Sequence, residues 1–139
     1  MSTEQMKAAD ERFCEKALNQ QNLAEFDQFF GPTLVDHALP PNLPPNRDGR
    51  KMFISVIFAA FPDFRVLIED MVAEGDKLVT RWSATGTHQG EMMGIPPTGK
   101  SVTVTGIAID RFEEGQSVKH WEVFDQMGLM QQLGVIPTG

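Results

Sequence analysis

Apolar residues near the start of the chain recur with the period of a helix. Met6, Ala9, Phe13 and Ala17 fall at i, i+3, i+7 and i+11, which predicts an amphipathic helix over residues 3–20. Ser2 or Thr3 can cap it, and acidic side chains occupy its first turns. Asn19 to Asn22 break the pattern. A shorter helix is predicted over 23–30, with Leu23, Phe26 and Phe30 on one side and Gly31-Pro32 as its stop. Residues 34–38 are a short strand candidate. The segment 40–49, with four prolines, two asparagines and a glycine, reads as a rigid loop. Asp48 can then cap a helix from Gly49 to Phe61. After Met52 that helix is apolar nearly all round, which predicts burial on most sides.

From residue 64 the period changes to two. Strand-like segments cover 64–74, 76–88, 101–113 and 117–125, with turn residues at Gly75-Asp76 and Glu114-Gly115. A longer loop, 89–100, joins the second and third. A short helix from Met127 to Leu133 closes at Gly134. Helices first and an antiparallel meander afterwards define an α+β class, with a curved antiparallel sheet forming a cone packed against N-terminal helices. A cone open at one end is a natural ligand cavity. At 139 residues the chain is expected to be one domain, 1–139.

Composition narrows the chemistry. Twelve Lys and Arg against nineteen Asp and Glu give a net charge of −7, which argues against nucleic acid as a partner. Cys14 is the lone cysteine, so no intrachain disulfide or thiolate cluster can form. The N-terminus is polar, and no apolar run approaches the roughly 20 residues of a membrane span, so the expected location is cytoplasmic. His37, His88 and His120 lie 51 and 32 residues apart and form no paired metal motif, so no metal is expected. There is no tyrosine, which removes any mechanism that needs a phenolic donor.

Alternation assigns the side chains to faces. In the last strand Lys119, Trp121, Val123 and Asp125 share one face, and His120, Glu122 and Phe124 share the other. Because the second set carries two ionisable groups, it is expected to face outward, turning Asp125 inward beside Trp121. There an acid in an apolar wall would gain basicity and serve as a general base. The alternative is that Asp125 only caps the helix that follows. Trp82 and His88 share a face of the second meander strand and are expected to line one pocket.

The stretches TGTHQGEMMGIPPTGK (85–100), GIAIDRFEEG (106–115) and HWEVFDQMGLMQQLG (120–134) resemble the SnoaL-like polyketide cyclase family. That family has the nuclear-transport-factor-2-like, or ketosteroid-isomerase-like, α+β barrel. The resemblance implies a homodimer or homotetramer built through the sheet. It also implies a cofactor-independent cyclase that closes a polyketide ring by intramolecular aldol chemistry. Asp125 would be the acid/base, and His37 and His88 would orient or polarise oxygens. Trp82, Trp121, Met92, Phe58 and Ala108 would line the site for a small hydrophobic, polyketide-like molecule. Ala108 stands near the place where such cyclases carry a histidine, a departure that keeps open a non-catalytic ligand-binding or dimeric scaffold protein of the same fold. An epoxide hydrolase on this fold would need an arginine between two acids. Arg81 and Arg111 lie on the face opposite Trp82 and Ala108, so that reading ranks lower.

Overall fold

The computed structural model describes residues 1–137. Ser2 opens α1 (Thr3–Arg12) with a reciprocal cap to Gln5. The helix then widens into a π segment over Phe13–Asn19. Met6 and Ala17 are fully buried, and Ala9 and Phe13 pack beside them, as their spacing predicts. The widened turn delivers Asn19 to the sheet edge. Its amide oxygen accepts from Val66 N–H at 2.7 Å, and its amide nitrogen donates to Val66 C=O at 3.1 Å. One side chain thereby completes the backbone pairing of an edge residue, which would otherwise invite another strand.

The predicted second helix is shorter than its pattern. A 3₁₀ turn (Leu23–Glu25) leads into α2 (Phe26–Phe29), and Phe30 already begins β1 (Phe30–Asp36). Leu23 is exposed rather than aligned with the buried phenylalanines. Helix α3 spans Arg47–Ala60 and is capped by Asn46, not Asp48: the Asn46 side chain accepts from Gly49 N–H at 3.0 Å. Burial on most sides is also not observed. Met52 and Val56 are about half exposed, while Arg50, a charged residue of the same helix, is buried.

The meander forms as predicted: β2 (Arg65–Glu74), β3 (Lys77–Thr87), β4 (Ser101–Glu113) and β5 (Gln116–Phe124), followed by α4 (Gln126–Leu133). Gly134 closes α4 in the left-handed region at φ 82°. The sheet order is β1-β5-β4-β3-β2, with β1 parallel to β5 and the other neighbours antiparallel. β1 is thus a fifth strand of a mixed, curved sheet with N-terminal helices on its inner face.

Cross-strand register defines three inner rows. Leu78, Asp110 and His120 form the first, with Asp36 beside His120. Thr80, Ala108 and Glu122 form the second; Trp82, Gly106 and Phe124 form the third. Two apolar clusters bracket these rows. One gathers Phe13, Phe26, Phe29, Phe30 and Phe112, with Phe13 stacked on Phe29 at 4.5 Å between centroids. The other packs Phe61, Met92 and Val102 against Leu129 and Leu133 of α4.

One glycine tests this packing. By helix propensity alone, Gly49→Ala should stabilise by about 1 kcal/mol. A Cβ at Gly49 would overlap the Pro44 carbonyl oxygen of the proline-rich loop. The variant should therefore lose stability, by about 2 kcal/mol, in urea unfolding.

Candidate active site

The inner rows carry an unusual density of buried charge. Arg50 reaches from α3 to Asp36 at the end of β1 with a two-point contact, Nε to Oδ2 at 2.7 Å and Nη2 to Oδ1 at 3.1 Å. Its third nitrogen, Nη1, lies 3.7 Å from Glu122 Oε1. Glu122 Oε1 is in turn 3.2 Å from His120 Nε2, and His120 Nδ1 is 2.8 Å from Asp110 Oδ1. Ser117 donates to the same Asp110 oxygen at 2.8 Å. A second acid, Asp10 of α1, accepts from Thr80 Oγ1 at 2.5 Å.

Burial and partners set the protonation of these groups. Burial opposes a charge on His120, but the Asp110 carboxylate, by proximity and hydrogen bond, and Glu122 push it up to about 10. Both ring nitrogens therefore act as donors. Burial works against the Glu122 anion, yet the hydrogen bond and charge of His120, with Arg50 beyond, hold it below the ordinary carboxylate range. Asp10 has no cation in contact. Burial, then the Asp110 charge, raises it to about 7 despite the Thr80 bond.

Glu122 differs from its partners in access. Its side chain is 20% exposed, against 9% or less for Asp36, Arg50, His120 and Asp110. A cleft of about 720 Å³ runs along β2 against the π segment, lined by Cys14, Asn19 and Arg65 among others. Cys14 Sγ is 3.9 Å from Asp10 Oδ1, so this cleft and the polar interior share a wall. Among the described residues, no three His, Cys, Asp or Glu side chains are arranged to hold a metal ion. No helix there is long and apolar enough to cross a membrane.

A family model described as SnoaL-like polyketide cyclase matches residues 9–133. The chain belongs to this family. Solved structures agree with the membership. TsrD from Streptomyces laurentii superposes with a TM-score of 0.90 at 27% identity, covering 98% of this chain and 99% of that one. AclR from Streptomyces galilaeus, described as "a putative hydroxylase", gives 0.88 at 29% identity, over 98% and 89% of the two chains. IdmH from Streptomyces antibioticus, "a putative polyketide cyclase", gives 0.83 at 32% identity, over 94% and 99%. No curated protein sequence matches the chain.

Within this SnoaL-like cone several expected positions fall elsewhere. The strand phase of β5 is opposite to the expectation: His120 and Glu122 face inward, and Val123 is 73% exposed on the outer face. Asp125 is exposed and caps α4, its Oδ1 accepting from Gly128 N–H at 2.9 Å. Ionisable groups went inside because they arrive as a set of mutual partners, which a single strand does not reveal. Trp121 follows Val123 outward, where exposed His37 stacks on it at 5.1 Å between nearly parallel rings. These two come together, but away from the polar rows.

His88 is fully buried, and its Nδ1 accepts from Thr98 N–H at 3.2 Å, which anchors the 88–100 loop. Met92, 2% exposed, packs in the apolar cluster beneath α4. Phe58 packs against Phe64 and the phenylalanine cluster. Trp82 and Ala108 do stand on the inner face, in the rows around Glu122. The reading of single strands missed Asp36, Arg50, Asp110 and Glu122. One signal was available: Asp110, His120 and Glu122 share one alternation across the β4–β5 hairpin.

The raised His120 links stability to alkaline pH. Its charge favours the folded state fully below the unfolded value of 6.5, and that contribution is lost as pH rises through about 10. Unfolding free energy should fall between pH 7 and 10 in wild type, and His120→Gln should flatten that slope in urea titrations at each pH.

Proposed function

We propose that this SnoaL-like protein is a cofactor-independent cyclase acting on a small polyketide-like molecule, with Glu122 as its acid/base. One observation carries the reading: a partly open carboxylate held between a guanidinium and an imidazolium. Glu122 would take a proton from a carbon beside a carbonyl, and the C–H electron pair would become an enolate. The enolate carbon would attack a second carbonyl of the same molecule, and that oxygen would recover the proton from Glu122. A C–H adjacent to two carbonyls needs only a weak base, so an anion held ionised suffices when nearby positive groups stabilise the enolate. Ala108, the cross-strand neighbour of Glu122, contributes only a methyl group to that row.

Asp36, Arg50 and Glu122 also supply an arginine between two acids, the arrangement an epoxide hydrolase on this fold needs, from a helix rather than from Arg81 or Arg111. That is the second reading. Opening of a cyclic epoxide in labelled water without ketone cyclisation would select it.

Glu122→Gln should reduce α-proton exchange or ring closure of a diketone by about 10²–10⁴-fold. Asp125→Asn should leave the rate within a few-fold and cost stability of about 1 kcal/mol or less through its cap. The reverse ranking would return the acid/base role to Asp125.

The family's homodimer is also a proposal here, supported by the outer face. Val72, Val79, Ile109 and Trp121 form one apolar row across four strands, with Ile107 and Val123 in the next. Val72 and Leu67 are each 61% exposed in the single chain. Such a patch marks an interaction surface. Light scattering should find a dimer for wild type and a monomer for the double variant Ile107→Asp, Val123→Asp.

A further inference from the structure

We propose that the indole N–H of Trp82 is the hydrogen-bond donor this interior offers to a carbonyl or enolate oxygen of its ligand. The inference rests on the reading of the Glu122 interior as the ligand site. Trp82 Nε1 is buried, with no acceptor among the described residues. A buried N–H without a partner is costly, and native proteins keep few of them. No acceptor in the adjoining row lies within hydrogen-bond reach of it. Glu122 faces His120 and Arg50, and Thr80 is bonded to Asp10.

Gly106 fixes where the N–H sits. A Cβ at Gly106 would lie 2.6 Å from Trp82 Cε2 and closer still to Cζ2, so the ring rests over the β4 backbone where only glycine leaves space. Cε2 is bonded to Nε1, so the donor is held over β4, one row from Ala108 and Glu122. The rest of its own row, Gly106 and Phe124, has no side-chain acceptor. The other donors near Glu122, Arg50 and His120, are committed to carboxylates. Among the described residues, the other buried N–H without a partner, His88 Nε2, belongs to the 88–100 loop beyond the end of β3. With no tyrosine in the chain, Trp82 is the neutral donor in the rows around Glu122 for an oxygen that changes between carbonyl and enolate.

The test uses the whole protein and two probes. One is 1-hydroxy-2-acetonaphthone, a planar hydroxyketone; the other is 2-ethylnaphthalene, which lacks oxygen. Trp82 and Trp121 give the two indole N–H signals in a ¹H–¹⁵N spectrum, and Trp121→Phe assigns them. The hydroxyketone should move the Trp82 signal downfield and the hydrocarbon should not. Trp82→Phe, which keeps an aromatic ring and removes the N–H, should weaken the hydroxyketone about tenfold and leave the hydrocarbon within about twofold. The wild-type shift stands on its own if that variant folds poorly. Hydroxyketone binding that moves the His120 resonances but not Trp82 overturns the donor and leaves the site reading intact. Equal loss of both probes in Trp82→Phe overturns it too, because the ring and not the N–H would then bind. No saturable binding of either probe overturns the site reading, and the donor with it.

Discussion

Arg50 enters the apolar interior of this cone only because Asp36 meets it with both oxygens. A lone guanidinium there would cost several kcal/mol of desolvation. The same logic runs onward along the chain of contacts. Glu122 stays ionised because His120 and Arg50 flank it, and His120 stays protonated because Asp110, itself held by a hydrogen bond from Ser117, stands on its other side. Removing Asp36 or Asp110 takes from Arg50 or His120 its nearest countercharge. The network ties α3, β1, β4 and β5 together, so the curvature of the sheet and the position of Glu122 are one constraint.

That constraint also explains the inverted surface chemistry. With charge satisfied inside, the outer sheet face is free to carry Val72, Val79, Ile109 and Trp121 as a continuous apolar row. In strands of period two, a phase error of one residue exchanges the two faces completely. β5 is the case in point. Its alternation is plain in the sequence, but which half faces inward depends on Arg50 and Asp36, contributed by segments more than sixty residues away. Asp125 then lies beyond the sheet, where capping α4 is the local role open to it.

The edges are handled separately. Asn19 occupies the backbone groups of Val66 on edge strand β2, and a register shift between Ile68 and Asp70 further breaks that edge. At the other edge, the carbonyl of Pro45 accepts the Asp36 N–H from β1. The proline-rich loop is thus a cover for the strand that carries Asp36, and its close approach to Gly49 fixes the start of the helix that carries Arg50.

The sequence alone determined the elements: the helix face of Met6, Phe13 and Ala17, the four meander strands with their turns, the Gly134 stop, and the motifs of the SnoaL-like family. These are local properties, set by period, turn chemistry and capping. It also put Trp82 and Ala108 on the inner face, opposite the face that carries Arg81 and Arg111. Tertiary structure alone decided the parallel pairing of β1, the burial of Arg50 and the inward turn of His120 and Glu122. Burying a charge depends on partners brought from elsewhere in the chain, here Asp36 of β1 for Arg50 and Arg50 of α3 for Glu122, which no window around β5 contains.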